Sequence, residues 1–357
     1  MLAYYLLFLA ITLTAVIRMY PNYVVKRGFF EGVLGFFGIA IFVLFSGLRH
    51  EVGGDWVHYL DFVDMQRNAD FPFYLLHEPL WLMLNWFAAN VGGGIYFVNL
   101  ICAFIFFLGL LKFCRILPRP ELALTVSFPV LVIVIAMGFT RQSVGIAFVM
   151  MALVALQRDQ FFRFISFIFL AATFHKTSLV ILPFAMFYGF KNRFLLVVPL
   201  VLILLILSLQ LFRSSIDYLI AGYLITEYDA KGAAVRLAMN VIPAMIFIVW
   251  RNSFHLTQKQ KVFWKWISIF ALTLVPLMMV SPSSVPVDRM GFYLIPLQLL
   301  VWSHFPDVMG RKGHRNSFWV GLVIVYTGVI LVVWFTFSSH SFAWVPYKFY
   351  PFIWAFY

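Results

Sequence analysis

The chain has 357 residues, of which 63% are hydrophobic and 11% charged, with a mean hydropathy of +0.94. Soluble globules carry about 25% charged residues, so this composition excludes one and places most of the chain in lipid. The formal net charge of +12 is spread over many short turns, which implies membrane topology and anionic headgroups and no nucleic-acid partner.

Apolar runs able to cross a hydrocarbon core of about 30 Å fall near 2–17, 30–47, 94–111, 121–138, 142–157, 160–174, 178–190, 194–212, 236–250, 262–280, 289–303 and 318–337. They predict an all-α polytopic membrane protein of about twelve transmembrane helices, a single domain over 1–357 with both termini outside. The first run begins at Met1 without a basic leader and is followed by Arg18, Lys26 and Arg27, so it is expected to remain as a span. Cys102 and Cys114 sit in or beside one span, a placement that suits neither a disulfide framework nor a metal cluster.

Two consecutive runs, Phe161–Thr173 and Ser178–Phe190, hold only thirteen residues each, about 20 Å as α-helix. A re-entrant-like hairpin near 161–190 explains them, its tip at Phe174-His175-Lys176-Thr177. Polar groups at that depth survive inside protein or along a water-filled cavity, so an outward-opening cavity is expected there. The alternative is a locally thinned bilayer with Lys176 reaching the interface. Larger outer segments are expected at 49–93, at 213–235 with Tyr218, Tyr223 and Tyr228, and in the aromatic tail 338–357. The helix expected after Glu78 would lie against the membrane, and the tail rings (Phe342, Trp344, Tyr347, Phe349, Tyr350, Phe352, Trp354, Tyr357) read as an interfacial belt or as sugar-stacking surfaces.

Charge assigns the loops to sides. One alternate set holds Arg18, Lys26, Arg27, Lys112, Arg115, Arg119, Arg158, Arg163, Lys191, Arg193, Arg251, Lys259, Lys261, Lys265, Arg311, Lys312 and Arg315, which is 17 of the 26 basic residues. The positive-inside rule puts that set in the cytoplasm. The other set holds 10 of the 14 acidic residues.

On the outer side four polar clusters stand in apolar surroundings: Arg49-His50-Glu51 through Gly53-Gly54-Asp55 with His58 and Tyr59, then Arg141-Gln142, then His175-Lys176, then Asp288-Arg289 with Tyr293. Arginine at a helix centre in a bilayer costs about 2.5–3.5 kcal/mol, less near the end. Three arginines, a lysine and three histidines on one face make an anion site, because guanidinium donates two parallel hydrogen bonds and stays charged. The competing reading for any one of them is an interfacial residue or an ion pair, such as Arg289 with Asp288. Asp55 or His175, with Glu78 next, is the expected acceptor of a hydroxyl proton. Asp61, Asp64 and Asp70 read as a solvated face. No HExxH or repeated DxD spacing occurs, so a reaction without metal or other cofactor is expected.

The elements Gly47-Leu48-Arg49, Gly54-Asp55, Tyr59, Glu78-Pro79, Arg141-Gln142, Thr173-Phe174-His175-Lys176-Thr177-Ser178 and Asp288-Arg289 with Tyr293 resemble, in order and over nearly the whole chain, the EpsG family. These are bacterial membrane proteins of exopolysaccharide, capsule and O-antigen clusters, similar in role to Wzy-type polymerases. The resemblance implies a GT-C-like glycosyltransferase of the bacterial cytoplasmic membrane with its active site facing the extracytoplasmic side. It would polymerise undecaprenyl-diphosphate-linked oligosaccharide without metal, alongside a flippase and a chain-length regulator. Arg49, Arg141 and Arg289, with Lys176 close by, would hold the diphosphate. Gln142, Tyr59 and Tyr293 are expected to face the acceptor or sugar. Two other classes stay open: a flippase for the same lipid, whose polar sites would lie nearer the midplane, and a membrane acyltransferase with His175 as base.

Overall fold

The computed structural model describes residues 1–22, 24, 29–67, 78–188 and 232–354. The expected span at 194–212, the loop tyrosines Tyr218, Tyr223 and Tyr228, and Lys26, Arg27, Asp70, Lys191, Arg193 and Tyr357 lie outside the described residues. The first half runs α1 (Leu2–Ile17), α2 (Phe29–Gly47), α3 (Trp56–Met65), α4 (Pro79–Val91), α5 (Gly94–Arg115) and α6 (Pro120–Ser127). It continues through a π-helical stretch (Phe128–Ala136) to α7 (Thr140–Gln157), α8 (Phe161–Phe174) and a 3-10 helix (Lys176–Tyr188). The second half holds α9 (Ala233–Trp250), α10 (Gln258–Val280), α11 (Val285–Phe292), α12 (Ile295–Met309), α13 (Ser317–Phe337) and the short α14 (Tyr350–Trp354). Among the described residues no strand forms, and one isolated bridge joins Arg49 to Phe349.

Among the described residues five helices are long and apolar enough to cross a membrane: Gly94–Arg115, Thr140–Gln157, Ala233–Ser253, Gln258–Val280 and Ser317–Phe337. Shorter apolar helices accompany them, including Leu2–Ile17 and Phe161–Phe174. The chain is a helical multi-pass membrane protein. At its centre lies α7, apolar and buried on nearly every side, as a helix without a polar face must be. It packs against α5 and α8. A Cβ on Gly109 of α5 would stand 2.6 Å from the Ala147 carbonyl oxygen, so the missing side chain sets the α5–α7 approach, the small-residue device of membrane helices.

Two expected spans take a different form. The thirteen-residue second leg of the hairpin is a 3-10 helix, Lys176–Tyr188, whose rise of about 2.0 Å per residue gives it a reach of about 26 Å. The run at 289–303 is broken, with α11 ending at Phe292 and α12 starting at Ile295. Pro296 explains the break: it has no N–H for the Phe292 carbonyl, and its ring would clash there. Tyr293 sits in the gap, almost completely buried.

The tail also departs from a simple belt. His50 N–H donates to the Lys348 carbonyl (3.0 Å), Tyr350 N–H to that of Leu48 (2.9 Å) and Gly53 N–H to that of Ala343 (2.8 Å). Tyr347 stacks on Phe45 at 4.2 Å, Tyr350 on Tyr96 at 3.7 Å, and the buried Trp344 indole donates to the Ile133 carbonyl at 2.9 Å. Phe342 and Phe352 remain exposed. The tail is therefore a clasp over the loop after α2. Gly53, at φ +112°, is required in that loop, since a Cβ there would lie 2.1 Å from the Met137 carbonyl oxygen.

Helix α4 likewise packs one side inward, burying Trp81, Asn85, Ala88 and Ala89 against α5, α3 and α8, while Met83 and Phe87 stay exposed.

Polar contacts sort into two groups at opposite ends of the helices. Arg18 pairs with Glu121, Arg119 with Asp307, and Lys259 with Asp159, all at or beside helix ends in the set of loops expected to be cytoplasmic. Lys348 pairs with Glu51, Arg141 with Glu78, and Arg236 with Asp288, all in the other set.

Candidate functional site

The site forms where α7 begins, α8 ends and the α11–α12 break falls. Arg141, in the first turn of α7, places Nη1 2.8 Å from Glu78 Oε2. The other oxygen of Glu78 accepts the Lys176 backbone N–H at 3.3 Å, tying α4 to the start of the 3-10 helix. Glu78 is the N-cap of α4 at φ +54°, a left-handed conformation that costs a non-glycine residue about 1–3 kcal/mol and persists where surrounding contacts over-determine it. The next residue, Gln142, donates to the Arg289 carbonyl at 3.0 Å and ties α7 to α11. His175 caps α8, and its Nδ1 lies 3.0 Å from the Tyr293 hydroxyl. The Tyr59 hydroxyl accepts the Arg141 backbone N–H at 3.5 Å.

Asp288 does not pair with Arg289. Arg236, in the first turn of α9, grips it with two bonds of 2.8 Å, Nε to Oδ1 and Nη2 to Oδ2. The Arg289 guanidinium therefore has no ion pair or hydrogen bond among the described residues, yet it acts electrostatically on Asp55, Glu78, His175 and Tyr293. Asp55, the N-cap of α3, makes no side-chain capping bond. Burial pushes its carboxyl above the ordinary aspartate range, with His58, Arg289 and Arg141 pulling the other way. Glu78 is raised too, by burial first, with Arg141 and the Lys176 N–H opposing.

Nine of the ten expected residues thus converge: Asp55, Tyr59, Glu78, Arg141, Gln142, His175, Lys176, Arg289 and Tyr293. Arg49 departs from the diphosphate-binding part expected of it. It is 1% exposed, and its guanidinium donates to the carbonyls of Val52 (3.0 Å) and Ser46, to Asn99 Oδ1 (3.0 Å) and to Thr140 Oγ1 (2.8 Å). Those acceptors meet the donor demand of a buried cation, and Arg49 serves as a tie between the loop, α5 and α7. His50 is likewise turned away, against Tyr96 and Trp56.

The EpsG family model matches residues 32–349. The chain belongs to the EpsG family. Among curated proteins and among solved structures nothing matches the chain. Membership in this family of glycosyltransferase-like polymerases points to polysaccharide polymerisation in exopolysaccharide synthesis.

Two residues of this EpsG-family site escape a reading of the sequence. A Cβ on Gly145, one turn into α7, would stand 2.8 Å from the Tyr293 hydroxyl and 3.3 Å from His175 Cβ, so the His175–Tyr293 contact needs glycine there. A glycine inside a helical run is the signal, since it costs helix about 1 kcal/mol and requires a packing reason. Arg236 is the other; it stands at the start of a span behind a long polar segment and looks like one more interfacial base. Among the described residues no three His, Cys, Asp or Glu side chains cluster as metal ligands. What the site does present is cations together with a carboxylate, Asp55, that makes no side-chain hydrogen bond among the described residues, an arrangement suited to neutralising a growing anion while accepting a proton.

Proposed function

We propose that this EpsG-family protein polymerises polyprenyl-diphosphate-linked oligosaccharide repeat units, with undecaprenyl as the lipid, at the outer face of the bacterial cytoplasmic membrane. The bundle is GT-C-like, of about twelve spans by length of apolar run, and charge neutralisation comes from protein cations rather than a metal. Arg289 and Arg141, with Lys176, hold the donor diphosphate. A hydroxyl of a second lipid-linked unit attacks the anomeric carbon, the bond from that carbon to the diphosphate oxygen breaks, and the lipid diphosphate leaves with the bonding electrons. Direct displacement inverts the anomeric centre. Asp55 takes the hydroxyl proton, because Glu78 already spends both oxygens on Arg141 and the Lys176 N–H. Gln142 holds the Arg289 backbone, the partly buried Tyr59 lines the approach of the acceptor, and the buried His175–Tyr293 contact backs the site from behind.

The observation that carries this assignment is the Arg289 guanidinium, unpaired among the described residues, near a cluster that already contains the partly exposed Arg141. A cation kept without a partner in such surroundings is suited to an anionic ligand. Arg289→Ala and Arg141→Ala in the native host should each abolish long polymer while single lipid-linked units accumulate. Losses of about 10²–10³-fold in rate are the scale for removing a donor from a developing anion. Polymer of wild-type length and amount in both variants would overturn the assignment.

A further inference from the structure

We infer that Arg236 is a positioning residue for donor binding: by holding the Asp288 carboxylate, it keeps the neighbouring Arg289 available for the diphosphate. This rests on the assignment of Arg289 above. Helix α11 is clamped from two sides. From α7, Gln142 holds the Arg289 carbonyl at 3.0 Å. From α9, Arg236 takes both oxygens of Asp288 at 2.8 Å, and Asn240, one turn further along, donates to the Gly291 carbonyl at 2.9 Å. Gln298 of α12 completes the set by donating to Asn240 Oδ1 at 2.8 Å. The Arg236 guanidinium also lies 5.6 Å from the centre of the Phe292 ring, so the last turn of α11 is held as a unit.

The charge arithmetic gives the clamp its function. Asp288 is 9% exposed and adjacent to Arg289 in sequence. With Arg236 in place its charge is balanced by a bidentate partner. Without Arg236, a buried carboxylate is left beside the cation that must attract the donor, and it competes with the diphosphate for it. Arg236 touches neither substrate nor reacting atoms, and it acts through Asp288.

The two partners should therefore behave asymmetrically, although either loss breaks the same pair and should lower thermal stability. The assay uses purified protein in liposomes with lipid-linked repeat units isolated from a polymerase-deletion strain of the host. Arg236→Gln should raise KM for the donor about tenfold, a mid-range coupling for charges in one network, with kcat much less affected. Asp288→Asn leaves an extra cation and should keep KM at or below the wild-type value. The double variant R236Q/D288N, which removes both charges and retains hydrogen-bonding groups, should return KM to within about threefold of wild type. Should R236Q fail to accumulate, D288N and the double variant carry the test alone. Equal rises in KM for both single variants, or a tenfold rise in D288N or in the double variant, would reduce Arg236 to a structural tie and overturn the inference. Unchanged KM and polymer in Arg289→Ala defeats the diphosphate-binding part given to Arg289 above, whereas a raised KM in Arg289→Ala with an unchanged one in R236Q defeats only this inference.

Discussion

At one end of the bundle Arg119 meets Asp307 at 2.8 Å with side chains 2% and 3% exposed; at the other, Arg141 meets Glu78 at the same distance with 36% and 12% exposed. The first arginine is enclosed further by the carbonyls of Met19 and His314, and Asn316 donates to the carboxylate of its partner. The second stands beside Arg289, which has no ion pair among the described residues, and near Asp55, whose carboxylate makes no capping bond. Equal distances hide different economies of charge. A buried pair enclosed on several sides contributes to architecture, even with Arg119 Nη1 left without a hydrogen-bond partner among the described residues, and its members cannot be spared for a ligand. A half-exposed pair beside an unbalanced cation can exchange one anion for another. By this criterion Arg49 belongs with Arg119 and not with Arg141, although it lies at the same end as the site.

The largest effect that separates the two ends is on folding. Arg119→Leu leaves Asp307 buried and uncompensated, and breaking such a pair costs about 3–5 kcal/mol. The variant should therefore be lost from the membrane or run as aggregate in detergent. Arg141→Ala should accumulate as a monodisperse protein and fail only in polymerisation. Monodisperse, active Arg119→Leu protein would show that enclosure of this kind does not distinguish a tie from a binding group.

A second effect sharpens the site itself. Burial raises the Asp55 and Glu78 carboxyls above their ordinary values. The base must be ionised to accept a proton, so turnover should fall as pH drops through the raised value, and the acid limb should lie above the usual aspartate value of about 3.9. Asp55→Asn should cost about 10²–10⁴-fold in turnover, the scale of a general base, and its residual rate should lack that limb. Persistence of the limb in the variant would move the base to Glu78 or His175. Stability runs the opposite way. A carboxyl whose folded-state pKa is raised binds its proton more tightly when folded, so it costs stability above that pKa, and the cost fades as pH falls towards the unfolded value. Asp55→Asn should therefore narrow the difference in melting temperature between neutral and acidic pH.

Much of this arrangement was legible because the membrane makes polar residues expensive. Arg141-Gln142, His175-Lys176 and Asp288-Arg289 stand out in apolar runs, and all three pairs arrive at one place. The helical class and the five long apolar helices follow from run length alone. What stayed hidden depends on partners distant in sequence. Arg49 looks the same on paper as Arg141, and only Asn99 and Thr140, 50 and 91 positions away, reveal it as a tie. Arg236 is hidden for the same reason, since its meaning comes from Asp288, 52 positions on. The break at Tyr293 was readable in Pro296, but an apolar run of ordinary length masks it. The tail rings suited the interface equally well in sequence, and their stacking on Phe45 and Tyr96 appears only when the ends of the chain meet.

The smallest effect concerns a residue with no polar group. Gly145 lies in the interior of α7, where alanine would be the better helix former by about 0.5–1 kcal/mol. The site opposes that preference, because the added Cβ would stand 2.8 Å from the Tyr293 hydroxyl and 3.3 Å from His175 Cβ. Tyrosine oxygen is the far end of a side chain, but this ring is 1% exposed and has little room to retreat. The hydroxyl must move off His175 Nδ1, now at 3.0 Å, and a buried hydrogen bond worth about 0.5–1.5 kcal/mol is lost. Gain and loss nearly cancel in folding, so the melting temperature of Gly145→Ala should stay close to wild type. Turnover has no such compensation and should drop about tenfold, the equivalent of about 1.4 kcal/mol in barrier. Tyr293→Phe, which removes the same hydroxyl without adding a methyl, should show a similar drop. Full turnover in both would mean that the His175–Tyr293 contact holds the α8 end to the helix break and does nothing for the chemistry.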